Sequence, residues 1–190
     1  MTKTGRFPTT LLVMAATLAA LAGPACGGPP APADSEAPAG DVALLANLGD
    51  LARQRVHESM PGATLQQIDV IPGDGRYEFR FVDAASSRVL SVSGGIDAKT
   101  PAAFTVTTEA IGMLAVPPSS PLDLAALRLG PDGVVAVMVR ELGAATPRAL
   151  TLVRQDGGLA WRVEVNGPRG IVRGTVADAT GQFVREDAPP

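Results

Sequence analysis

Within residues 76–82, Arg-Tyr-Glu-Phe-Arg-Phe-Val, charged and aromatic side chains alternate from Arg76 to Phe81. Successive side chains of a strand point to opposite faces, so Tyr77, Phe79 and Phe81 share one face while Arg76, Glu78 and Arg80 share the other. A helix would scatter the same residues around its circumference. The segment therefore demands a sheet with one buried face and one polar face. The pattern returns 84 positions later, where Trp161, Val163 and Val165 alternate with Arg162 and Glu164. Tyr77 and Trp161 read as core residues rather than ligand platforms.

Each alternating strand sits in a similar neighbourhood. Upstream of the first, Leu44, Leu45, Leu48, Leu51, Ala52 and Val56 mark a helical stripe that opens at Asp41, a good N-cap, and ends at Met60-Pro61-Gly62. Gly49 should weaken that helix by about 1 kcal/mol. Leu65–Ile71 and Arg88–Ser93 read as flanking strands, with a turn at Pro72-Gly73-Asp74-Gly75. Ala103–Val116 reads as extended, with Gly112 marking a bulge. In the second half Ser120 is expected to cap a short helix with Pro121 at its first position. Asp132 is expected to cap the run Val134–Leu142, for which helix is favoured over strand despite its β-branched valines, with Gly143 as the stop. Arg148–Arg154 and Ile171–Val176 read as strands, and Asp156-Gly157-Gly158 and Asp178-Ala179-Thr180-Gly181 as turns. At the same offset of 84, Leu65–Ile71 falls near Ala149–Val153, Val92 falls on Val176, and the Asp41 helix overlaps Ala125–Leu142. The halves read either as a duplicated unit or as two similar helix–hairpin units without common origin. The expected class is α+β: tandem helix-plus-antiparallel-sheet units, with helices packed on one sheet face.

The chain begins with a different kind of segment. Lys3 and Arg6 precede the uncharged run Leu11–Ala22, which is too short for a comfortable membrane span of roughly 20 residues. Gly23-Pro24-Ala25 follows, then Cys26, the one cysteine of the 190 residues. Residues 1–25 read as a signal peptide. Residues 26–40 read as an anchor residue and a Pro/Ala/Gly-rich tether reaching on the order of 40 Å if extended. Residues 41–118 and 119–187 form the two α+β units. Leu21–Gly27 resembles the cleavage site of bacterial lipoproteins, whose cysteine becomes the lipidated first residue. That resemblance makes Cys26 the lipidation site and implies an envelope protein facing the periplasm or the cell exterior. Gly27, not being Asp, implies the outer membrane in a two-membrane bacterium. The alternatives are plain secretion with a free thiol, a liability in an oxidising compartment, and an uncleaved anchor.

The stretch Asp156–Val184, with Trp161-Arg162-Val163-Glu164-Val165 ahead of Asp178-Ala179-Thr180-Gly181-Gln182-Phe183, resembles PepSY-type domains. The first half carries Ser93-Gly94-Gly95 in place of the closing motif. The resemblance implies an exported, non-catalytic module of the kind found in peptidase propeptides and envelope proteins, with a peptidase or another envelope protein as partner.

The residues themselves offer little chemistry. After residue 25 the chain carries 14 cations, 13 of them Arg beside Lys99, against 19 acids, a net charge of −5 with no basic cluster. Nucleic acid is not an expected partner. His57 is the single histidine and reads as an exposed helix residue near Glu58. No G-x-S-x-G elbow, phosphate loop or metal-ligand spacing occurs. Glu78 and Glu164 are expected to pair with Arg80 and Arg162 rather than to catalyse. No catalytic, cofactor or metal residue is assigned, and the protein is expected not to be an enzyme. Two functions follow: a non-catalytic protein-binding module, or a carrier of a lipid or other apolar ligand. A filled core with an open strand edge favours the first, and an apolar cavity of several hundred Å³ the second.

Overall fold

The protein is described by a computed structural model that covers residues 39–110, 114 and 120–186. Cys26, the unit boundary at 118/119 and the bulge at Gly112 lie outside the described residues. No described helix is long and apolar enough to cross a membrane.

The fold is α+β. Among the described residues it comprises α1 (Ala39–His57), β1 (Thr64–Ile71), β2 (Arg76–Asp83), β3 (Arg88–Gly95), β4 (Thr105–Ala110), α2 (Pro131–Leu142), β5 (Thr146–Gln155), β6 (Gly158–Gly167), β7 (Gly170–Ala177) and β8 (Phe183–Arg185). Short 3₁₀ turns occupy Pro101–Ala103 and Leu124–Ala126. All eight strands form one sheet in the order β4-β3-β2-β1-β5-β6-β7-β8. Every neighbouring pair is antiparallel.

The two halves join at β1 and β5, where Ile68 faces Leu152, Gln67 faces Val153 and Asp69 faces Thr151. Ile68 and Leu152 are 84 positions apart, so the offset seen in the sequence maps this central pair onto itself. The relation slips by two residues one strand further out. Phe79 lies opposite Ile68, whereas Trp161 lies opposite Leu152, so Trp161 takes the place of Phe79 and not of Tyr77. The hairpin turns cause the slip. Four residues, Pro72–Gly75, join β1 to β2, but only Asp156 and Gly157 join β5 to β6. Both of the latter have positive φ (51° and 83°), the signature of the tight primed turn that matches strand twist.

The alternating residues build the core. Tyr77, Phe79, Phe81, Trp161, Val163 and Val165 are all buried, with Leu45, Leu48, Ala52 and Val56 of α1 and Val134, Val137 and Met138 of α2 in the same cluster. Gly49 has a packing reason: a side chain there would meet Leu124 and Phe79. Helix wins over strand at Val134–Leu142 because the apolar residues recur at helical spacing. Pro131 opens that helix, and Gly143 closes it in the left-handed conformation (φ 77°).

Several local expectations are corrected. Asp41 does not cap α1, which starts two residues earlier; its carboxylate instead accepts from the Asp132 amide of α2. Asp132 is likewise not a cap, since Gly130 holds that position. Asp123, not Ser120, caps the short turn before α2, accepting from the Ala125 amide at 3.0 Å. The extended reading starts at Thr105 and not at Ala103, because Phe104 leaves the strand line to pack edge-on against Phe79 and close over Gly94, and most of its stretch after Ala110 lies outside the described residues. Glu78 pairs with Arg80 at 3.1 Å, but Glu164 pairs with Arg173 and Arg148, at 2.7 and 3.2 Å, rather than with Arg162. Arg173 stands directly across from Glu164 in the neighbouring strand, and a cross-strand neighbour lies closer than the next same-face residue on one strand.

Candidate functional site

The N-termini of α1 and α2 meet above one end of the central strands. Asp41 Oδ2 accepts from the Asp132 backbone N–H at 2.7 Å, so the first turn of one helix satisfies an orphan donor of the other. Gly130 makes this approach possible, because a Cβ there would collide with the Asp41 carboxylate. Between the helix starts, the end of β1 and the start of β5 lies a groove of about 460 Å³. Leu44, Val70, Tyr77, Val135 and Leu150 line its walls, with half-exposed Ile96 at the rim and Asp41 and Asp132 beside them.

The titratable groups here respond to burial and to each other. Burial pushes the Asp41 carboxyl above the ordinary carboxylate range. The Asp132 and Gly133 amides counter this, and the Asp132 charge adds to it. The Tyr77 phenol is raised first by burial and then by the charges of Asp41 and Asp132. No Lys, Arg or His is among the described lining residues. The groove is thus apolar along its walls and negative at one end.

A second polar cluster occupies the opposite sheet face at the centre. Asp69 accepts from Thr151 Oγ1 at 2.8 Å and from Gln67 Nε2 at 2.7 Å, and pairs with Arg80 Nε at 3.0 Å. Burial raises its carboxyl, against the pull of Thr151, Gln67 and Arg80. Each oxygen is engaged by a side chain of its own sheet, so the cluster reads as reinforcement of the β1–β5 seam.

A third constellation joins the two motifs singled out in the second half. Trp161 Nε1 donates to the Leu129 carbonyl at 3.0 Å. The Asp178 carboxylate accepts from the Leu129 amide at 2.8 Å and from the Arg128 amide at 3.0 Å. One peptide segment just ahead of α2 is therefore held from both sides, by the sheet and by the β7–β8 turn. Asp178 is raised by burial, offset by these amides. The arrangement fixes where α2 starts and offers no reactive group to a ligand.

His57 is exposed near the end of α1, beside the Arg55–Glu58 pair at 2.7 Å. No group of three or more His, Cys, Asp or Glu side chains able to hold a metal occurs among the described residues. The sequence reading missed the groove because Asp41 and Asp132 looked like caps of their own helices. The available signal was Gly130, two residues ahead of Asp132, which leaves the start of the second helix open to close approach.

No protein-family model matches this chain, and no curated protein matches it. Among solved structures, the crystal structure of a candidate lipoprotein from Clostridium difficile 630 is similar with a TM-score of 0.51 at 11% identity, covering 71% of this chain and 90% of that one. At that identity the likeness is one of fold.

Proposed function

We propose that this protein is exported, lipidated on Cys26 and held by its tether at the surface of an envelope membrane, where it works as a non-catalytic protein-binding module. The observation that carries the reading is the order of the first 40 residues: basic start, short apolar run, small-residue exit, lone cysteine, Pro-rich tether. Acyl chains buried at about 0.8 kcal/mol per CH₂ would supply the attachment. The solved structure of similar fold, itself described as a candidate lipoprotein, agrees with this reading. The PepSY-type resemblance of Asp156–Val184 supports an envelope protein, a peptidase in particular, as the partner, and tandem units of that type as the architecture. Cys26→Ser is the test. Wild-type chain should incorporate labelled palmitate and partition with membranes, and the variant should do neither. Unchanged mature mass and membrane partitioning in the variant would remove the anchor from the reading.

One observation favours the second reading, a carrier of an apolar ligand. The groove volume of about 460 Å³ falls within the roughly 300–1,000 Å³ of small-molecule sites. The filled core and the sheet edges at β4 and β8 stand with the first.

A further inference from the structure

We propose that the groove between the two helix starts binds a small organic cation, a primary ammonium carried on an apolar body. The inference rests on the carrier reading of this groove and not on the anchor. The walls fix the body. Leu44, Val70, Val135 and Leu150 are aliphatic, and the Tyr77 ring stacks on Phe79 behind them at 6.4 Å between centroids. Their exposed surface is far smaller than the roughly 800 Å² per side of a standard protein interface, so the occupant is a small molecule.

The charge fixes the head group. Asp41 and Asp132 bring two carboxylates to one end of the groove, and no cationic side chain is among its described lining residues. Each helix N-terminus contributes about half a positive elementary charge, so the two together offset only about one of the two negative charges. Asp41 already faces the α2 amides through Oδ2. Asp132 is exposed, and its carboxylate accepts none of the hydrogen bonds identified among the described residues. An ammonium seated there would neutralise the remaining charge and could donate to both carboxylates while its body displaces water from the aliphatic wall. A carboxylate ligand of the same length would be repelled, and an alcohol would gain the apolar contact alone. The phenol of Tyr77, raised by burial and then by the same two acids, offers the head group a neutral hydrogen-bonding neighbour.

The test uses the full chain in lipid nanodiscs, with empty nanodiscs as control, and three probes of one length: pentylammonium, pentanol and pentanoate. Methyl signals of Leu44, Ile71, Ile96 and Val135 report occupancy by NMR titration. Pentylammonium should shift these methyls saturably and bind about fivefold or more tightly than pentanol, the scale of one partly exposed ion pair, with pentanoate weakest. Asp132→Asn, a surface change that leaves the Asp41 contact to its backbone in place, should bring pentylammonium to the level of pentanol. Equal binding of ammonium and alcohol by the wild-type chain would overturn the inference while sparing the carrier reading. Absence of saturable shifts with all three probes would overturn both. Saturation confined to methyls outside the groove would overturn the assignment of the site.

Discussion

Replacing Trp161 with Phe isolates one hydrogen bond in the clamp ahead of α2. Trp161 is fully buried, and its indole N–H donates to the Leu129 carbonyl at 3.0 Å. Phenylalanine keeps most of the apolar contact and removes the donor. Leaving this part-buried carbonyl unpaired costs about 1–3 kcal/mol. The missing ring atoms leave a small void worth about 1 kcal/mol more. The expected loss is therefore about 2–4 kcal/mol, a large share of the roughly 5–15 kcal/mol that holds a domain folded. At about 2–4 °C per kcal/mol the melting temperature should fall by roughly 5–15 °C. Far-UV circular dichroism is the suitable probe, because the substitution removes the chain's one tryptophan. Asp178→Ala, which frees the amides on the other side of the same peptide, should destabilise as well. The double variant should lose less than the two single losses combined, since both act on one segment. A Trp161→Phe loss below 0.5 kcal/mol, or strict additivity with Asp178→Ala, would refute the clamp as an energetic unit.

Other outcomes follow from single contacts. Gly130→Ala should cost about 1–2 kcal/mol, the worth of a helix cap, by pushing the Asp41 carboxylate off the α2 amides; chemical denaturation measures it. Gly174→Ala should detach the edge strand β8, because a side chain there meets Phe183 and the Val184 carbonyl; faster amide exchange at residues 183–185 would report this, and unchanged exchange would count against it. Asp41, Asp69 and Asp178 all have carboxyls raised by burial, so the native state takes up protons before the unfolded chain does. Their joint contribution should increase stability as pH falls from neutrality through the raised pKa values and level off below the ordinary value of 3.8, with exposed Asp83, lowered by Ser86, acting in the opposite sense. Urea midpoints between pH 7 and pH 4 that only decline would contradict this. His57→Ala should leave stability within about 0.5 kcal/mol, as measured by thermal melting, since the side chain is exposed.

Strand content was legible because the period-2 signal is strong wherever one face is buried. Phe79, between Glu78 and Arg80, and Trp161, Val163 and Val165, alternating with Arg162 and Glu164, fit a sheet with one dry face. Helix starts were less legible. Asp41 and Asp132 each have cap chemistry, and nothing in the local sequence says that the first serves the other helix, 91 positions away. Pairing of Glu164 failed for a related reason: the partner is chosen by cross-strand register, which depends on hairpin loop lengths rather than on the strand itself. The Trp161–Leu129–Asp178 clamp was half visible. Both outer residues stood out in the sequence, but the peptide they hold carries no side-chain signal, because its amide and carbonyl do the bonding.

The seam at Ile68 and Leu152 gives the internal similarity a physical test. In the intact chain β1 pairs with β5, and the 84-residue offset exchanges Gln67 opposite Val153 with Thr151 opposite Asp69. That is the register a two-fold repeat needs, since any other would pair non-equivalent positions. A fragment holding only the first half, residues 35–120, would expose the whole β1 edge, and it would lack the α2, β5 and β6 side chains that complete the core around Ile68. An open central strand with half a core beneath it is a template for pairing with another chain. The fragment is therefore expected to pair its β1 with β1 of a second copy about Ile68, or to remain unfolded below the concentration at which it dimerises. Analytical ultracentrifugation with circular dichroism along a dilution series separates these outcomes. Fold and dimer should disappear together on dilution, because neither half-core would be stable alone. A fragment that stays folded as a monomer across the series would show that the first half completes its own core, and that the β1–β5 seam joins two independent domains instead of closing one.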